Sequence, residues 1–191
     1  MIGGAGVGQD RADGAPWRTL ILGSLIYLIV QLVFVGLPGI AGSSEARESQ
    51  VIKVILRDKE IILPLRNGVI PSKPPLYHWI GATISDALGV VNELTVRLPS
   101  QLAASCIIVL VGLVGFRLAQ LTRTYQSERH SRRVALLSAG ILSLTYGFHI
   151  MAAQAMVDMV FVLCMWAAFT SLAFADAGEC RLYRRVSWEV S

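Results

Sequence analysis

Apolar residues form four long runs along the chain, and charged or proline-containing segments separate them. The runs cover about 17–40, 102–118, 134–150 and 156–175. Each is close to the roughly 20 residues that a helix needs to cross the hydrocarbon core of a membrane. The pattern therefore predicts an all-α integral membrane protein with about four transmembrane helices.

The segment between the first two runs is mixed in charge and predicts a helix on the membrane surface. The two serines at 43–44 can cap this helix, and Glu45 and Glu48 then lie in its first turn. Apolar residues within 51–56 supply one face, opposite Ser49. A helix with this pattern is expected to lie along the membrane rather than across it.

The end of the same segment contains a lysine before two prolines. Lys73 and Pro74 each precede a proline, which disfavours helical dihedrals, so a helix can begin only at Pro75. It is predicted to end near Gly89. Lys73 then lies beside the free amide end of a helix, where an anion can bind. A solvated lysine beside a rigid turn is the alternative. Before it, the sequence 61–70 suits a short hairpin.

Composition supports the membrane interpretation. Of the 191 residues, 54% are hydrophobic and 16% are charged, and the mean hydropathy is +0.58. Such a chain is too apolar for an ordinary soluble domain of this size. The net charge of +4 comes with basic residues placed next to apolar runs, which indicates membrane orientation and argues against a nucleic-acid partner.

The arginines also predict the orientation. The segment 117–133 contains five arginines and a single acid, Glu128. Such an excess of basic residues marks the cytoplasmic side. Four spans then put both termini in the cytoplasm and the first loop, about 41–92, outside it. Residues 1–16 are predicted to be a disordered cytoplasmic segment and 176–191 a cytoplasmic tail. Residues 17–175 form the membrane domain between them.

Two acids are candidates for chemistry. Glu45 follows the first span, where partial desolvation would suit a general base, although an acid in a first helical turn also stabilises the helix dipole. Asp158 lies at the start of the fourth run, and an ionisable residue there is a functional candidate or a capping or snorkelling side chain. His78 and His149 have no second ligand at helical spacing, so no metal is expected. Phosphate and dinucleotide motifs are absent, so no cofactor is expected.

Five blocks in this order resemble the N-terminal part of a known family, the bacterial aminoarabinose and protein-mannosyltransferase-like GT-C glycosyltransferases. The blocks are Ser-Ser-Glu-Ala-Arg-Glu (43–48), Ile-Ile-Leu-Pro-Leu-Arg-Asn-Gly (61–68), Ser-Lys-Pro-Pro-Leu-Tyr-His-Trp (72–79), Val-Arg-Leu-Pro-Ser (96–100) and Met-Val-Asp-Met (156–159). The resemblance extends over roughly 17–175. It implies a membrane enzyme that transfers a sugar from a polyprenyl-phosphate carrier to an extracytoplasmic acceptor at a bacterial inner membrane.

The resemblance also implies roles for individual residues. Glu45 takes the place of the family's catalytic acidic motif, whose first Asp is Ser44 here, and Asp158 matches an aspartate associated with activity. Lys73 matches the lysine that contacts the carrier phosphate, and Arg47, the arginine of the acidic motif, is expected to help bind it. Arg97 is expected to have an anchoring role.

Family members run to several hundred residues with many more spans. The resemblance therefore implies an N-terminal fragment, a truncated product or one half of a split enzyme, with a C-terminal membrane half or second subunit as partner. The chain alone is then expected to lack transferase activity. Two other functions fit the sequence. One is a non-catalytic membrane module that binds a lipid phosphate or a partner subunit, and the other is a small transporter.

Overall fold

The structure is a computed structural model that describes residues 16–35, 43–62, 64, 68–69, 73–122 and 128–186. Within these residues the regular secondary structure is all α-helical, with no strand. The helices are α1 (Trp17–Val35), α2 (Ser43–Asp58), α3 (Leu76–Leu88), α4 (Glu93–Leu121), α5 (Glu128–Leu144), α6 (Tyr146–Ala153) and α7 (Val157–Val186). Residues 1–15 of the predicted disordered N-terminus and half of the residues of the predicted hairpin, 61–70, lie outside the described residues.

Helix α4 is the central element, and α1, α3, α5, α6 and α7 all pack against it. Its buried face is rich in small and branched apolar residues, including Ala103, Ala104 and Ile107. Small side chains allow neighbouring helices to approach closely, which is the usual way that helices pack inside membranes. Helix α4 can therefore pack closely against several neighbouring helices at once.

Helix α4 begins earlier than the sequence predicts. The apolar run was expected to start a helix near Leu102, with Pro99 close to its entrance. Instead, Asn92 caps the helix through a reciprocal pair of hydrogen bonds with Thr95, and Pro99 lies within the helix. The cap supplies partners for backbone groups that a helix start leaves free, so the helix extends through the more polar 93–101 segment.

Two helices are long and apolar enough to cross a membrane, namely α4 and residues 157–175 of α7. Helices α5 and α6 meet at Thr145 with a 64° bend and make a third candidate if the bent pair is one span. Helix α1 is apolar but shorter. Among the described residues there are two or three candidate spans where four were predicted. The third apolar run is bent at Thr145, and the described part of the first run is shorter than a span, with residues 36–40 of that run outside the described residues. The predicted all-helical fold is confirmed for the described residues, and its long apolar helices are consistent with an α-helical membrane protein.

The predicted surface helix is present as α2, but its buried face is wider than expected. Val51, Ile52 and Ile55 are buried as the pattern indicates. Ser49, expected on the outer face, is also buried and donates a hydrogen bond to the carbonyl of Ala46. The reason is that α2 packs against α3 and α4, which together cover more of its circumference than a flat membrane surface would.

Helix α3 has the predicted boundaries to within a residue. Pro75 is its N-cap, and the Pro75 carbonyl accepts the first helical hydrogen bond from Trp79. Gly89 ends the helix with φ of +67°, a left-handed conformation that glycine adopts without a steric penalty. Helix α7 continues to Val186, so part of the segment predicted as a tail is helical.

Candidate functional site

Two of the predicted site residues meet in the structure. Lys73, just before α3, and Asp158, in the first turn of α7, form an ion pair in which Nζ lies 3.2 Å from each carboxylate oxygen. The side chains are 42% and 50% exposed. The lysine is therefore not simply solvated, since the carboxylate of Asp158 provides the negative charge that a helix N-terminus favours.

The ion pair lies at the edge of an open cavity of about 210 Å³ between α3 and α7. Apart from the pair, the walls are almost entirely apolar. They include Leu76, Val157, Val160, Phe161 and Cys164. A cavity that has a charged pair at its edge and apolar walls suits a ligand with an ionic head and a hydrocarbon tail. Asp158 is the second residue of a candidate span, which places the charged edge close to one end of that span.

Tyr77 connects the lysine side of the cavity to α4. Its ring is fully buried, and its hydroxyl donates a hydrogen bond to the backbone carbonyl of Val96. Burial raises the pKa of Tyr77 well above its ordinary value, so the phenol keeps the proton that it donates. This contact holds the first turn of α3, and with it the Lys73 segment, against the start of α4.

Glu45 and Arg97 form a second, deeply buried ion pair. Arg97 Nε lies 2.9 Å from Glu45 Oε1, and Arg97 Nη2 lies 2.8 Å from Oε2. The side chains are only 6% and 4% exposed. This two-point contact is the strong geometry for an arginine and a carboxylate. In this arrangement Glu45 faces the guanidinium and not the Lys73 cavity.

The segment between α6 and α7 is held by α2 and α4. The amide of Ala155 donates to Glu45 Oε1 at 2.9 Å. The amide of Met156 lies 3.0 Å from Ser100 Oγ, and the same hydroxyl donates to the Met156 carbonyl at 3.1 Å. Asp158 follows two residues later. Contacts from Glu45 of α2 and Ser100 of α4 therefore hold the chain just before the carboxylate that pairs with Lys73.

The remaining candidates are located elsewhere. Arg47 is exposed on α2 and does not line the cavity beside Lys73. His78 is buried, and its Nε2 lies 2.6 Å from Glu48 Oε2. His149 contacts the amide of Gln31 at 2.9 Å. The described residues contain no group of three or more potential metal ligands.

The sequence did not reveal the partners of these charged groups. The pairing of Glu45 with Arg97 and the contact of Ser100 with Met156 were both missed. One signal was present, because an arginine at the start of an apolar helix requires an acid partner. No family model, curated protein or solved structure matches this chain.

Proposed function

We propose that this protein binds a polyprenyl-phosphate-linked sugar in the cavity between α3 and α7 and acts in transfer of that sugar to an acceptor. The observation that carries the proposal is the position of the Lys73 ammonium at the edge of an apolar cavity. A polyprenyl phosphate has the matching chemistry, since its phosphate can contact the ammonium while the first isoprene units occupy the apolar walls. The order of the five sequence blocks supports the same class of ligand.

The geometry favours Asp158 over Glu45 as the general base. Glu45 is buried and faces Arg97, whereas half of the Asp158 side chain is exposed at the cavity. In the reaction, the acceptor hydroxyl oxygen bonds to the anomeric carbon and its proton passes to Asp158. The bond from that carbon to the phosphate oxygen breaks, and its electron pair stays on the phosphate, which Lys73 stabilises.

The family resemblance implies attack with inversion, which requires the acceptor and the leaving phosphate on opposite faces of the sugar. The sugar must then lie between Asp158 and Lys73, whose charged atoms are only 3.2 Å apart here. The pair therefore has to open when the donor binds. The lysine can supply this movement because it carries its charge on a flexible four-carbon stem.

The orientation in the membrane belongs to the same proposal. Four spans with both termini in the cytoplasm put Lys73 on the outer face, at the level of lipid headgroups, in a bacterial inner membrane. The arginine excess on α5 supports this orientation. A further membrane subunit or a C-terminal half would pack over the exposed ion pair and exclude water from it, which strengthens its electrostatic interactions.

A non-catalytic module that binds a lipid phosphate is the second candidate. It is favoured by one observation, the engagement of Glu45 with Arg97, because this leaves the residue at the family's catalytic position without access to the cavity. The two candidates share the phosphate site at Lys73 and differ in whether the sugar is released from its carrier.

The test is binding of a polyprenyl monophosphate to the purified chain in detergent micelles. Lys73→Ala should weaken binding by about one to two decades, the value of a charge-assisted contact to phosphate. Lys53→Ala removes an exposed lysine of α2 and should leave the affinity unchanged. Equal affinities of the wild type and Lys73→Ala would disprove the site. Release of free polyprenyl phosphate from a sugar-loaded donor, measured with the C-terminal membrane half or second subunit supplied, then separates the transferase from the binding module.

A further inference from the structure

The position of Asp158 is determined by contacts made just before it in the chain. Asp158 is in the first turn of α7, and the residues that precede this turn, Ala155 and Met156, belong to no helix. A segment of this kind can move unless its backbone groups have partners. In this structure both backbone amides have side-chain partners from other helices.

The first partner is Glu45, which accepts the Ala155 amide with the same oxygen, Oε1, that Arg97 Nε contacts. Ala155 is 1% exposed, so this hydrogen bond is shielded from water. The guanidinium of Arg97 in turn orients the carboxylate through both of its oxygens. Glu45 thus joins α2, α4 and the start of α7 at one buried point.

The second partner is Ser100, whose hydroxyl contacts both the amide and the carbonyl of Met156. Ser100 lies one helical turn after Arg97 on α4, and both side chains are buried. The same part of α4 also receives the Tyr77 hydroxyl at Val96. A single stretch of α4, 96–100, therefore holds the segments that carry Lys73 and Asp158.

From these contacts we infer that Glu45 is a positioning residue, which holds Asp158 in place beside Lys73 through the Ala155 amide. The inference deepens the proposed function, on which the importance of the position of Asp158 rests. Glu45 acts on the site through the backbone of another helix. Its carboxylate does not itself contact the sugar or the phosphate.

The test measures the Lys73 to Asp158 contact directly, without a lipid. A water-soluble carbodiimide activates a carboxylate and joins it to an amine that is already in contact, and the linked peptides can be quantified by mass spectrometry. The wild type should give the Lys73–Asp158 amide cross-link. Glu45→Ala removes the oxygen that accepts the Ala155 amide and should lower the yield by about tenfold, because small displacements of a positioned group have large effects on reaction rate.

Two further variants serve as controls. One changes the neighbouring acid Glu48, and the other lowers the stability of the same helix. Glu48→Ala makes the same chemical change three positions after Glu45, on a residue that contacts His78, and should retain the wild-type yield. Ile52→Ala removes a fully buried side chain of the same helix and should lower the melting temperature. The folded fraction of Ile52→Ala should still cross-link normally. A role of Glu45 in stability alone would instead make Ile52→Ala and Glu45→Ala behave alike.

Glu45→Ala removes the carboxylate that Arg97 contacts and can prevent folding, in which case Glu45→Asp decides. This variant keeps a carboxylate for Arg97 but is one methylene shorter, which withdraws its oxygen from the Ala155 amide and should lower the cross-link yield severalfold. Wild-type yield in whichever of the two variants folds overturns the inference. Because no lipid is present, this outcome is separate from the failure of Lys73→Ala to weaken polyprenyl-phosphate binding, which would overturn the proposed function.

Discussion

The carboxylate of Glu45 and the guanidinium of Arg97 form a buried two-point ion pair across 52 positions of the sequence. A buried pair of this kind gives little net stability relative to an apolar pair, but removing one partner leaves an uncompensated charge. The pair therefore contributes more to the orientation of α2 against α4 than to the stability of that contact.

Glu45→Gln should destabilise the fold by about 3–5 kcal/mol, because the buried guanidinium of Arg97 then loses the carboxylate that contacts it at two points. Thermal unfolding in detergent, followed by circular dichroism, measures this loss. The matched control is Asp58→Asn, which breaks an ion pair with Arg57 that is exposed on both sides. The unfolding midpoint of Asp58→Asn should be unchanged. Similar midpoints for the two variants would mean that the Glu45 pair is not buried.

Asp158→Asn should tighten the binding of a polyprenyl monophosphate by about two- to fivefold, the value of an exposed ion pair. The reason is that Asp158 competes with the phosphate for the Lys73 ammonium and repels the incoming charge. If the protein is a transferase, the same variant should lose about 10²–10⁴-fold in the transfer rate, since it lacks the base. Weaker binding by Asp158→Asn would contradict competition for Lys73.

Tyr77→Phe should destabilise the protein by about 1 kcal/mol, because the variant loses the hydrogen bond to the Val96 carbonyl. Unfolding in detergent with added denaturant reports the difference. Tyr146→Phe removes a hydroxyl from a ring that is 77% exposed and serves as the control. Equal stability of both variants would show that the Tyr77 contact does not anchor α3.

The proposed orientation predicts that a cysteine at Ile62, a position 79% exposed in the loop between α2 and α3, reacts with a membrane-impermeant reagent in intact cells. A cysteine at the exposed Arg129 should react only after lysis. Both substitutions are made after Cys106, Cys164 and Cys180 are replaced by alanine. The reverse labelling pattern would invert the topology and put Lys73 in the cytoplasm.

Local sequence was sufficient for most of the helices. Continuous apolar runs predicted α4 and the span in α7, and the proline pair and Gly89 predicted the two ends of α3. These signals are readable because helix propensity, capping and hydrophobic burial act over a few neighbouring residues. The sequence also identified Lys73 and Asp158 as candidates, since a charged residue beside an apolar run is costly to keep at a membrane and is therefore a functional candidate.

Only the tertiary structure decided which charges meet. Lys73 and Asp158 are 85 positions apart, and Glu45 and Ala155 are 110 apart. No local pattern specifies such pairs, because they depend on how several helices pack around α4. Packing also explains the differences from prediction. Ser49 is buried because two helices cover α2. Glu45 faces Arg97 and not the open cavity because a buried guanidinium requires a carboxylate partner.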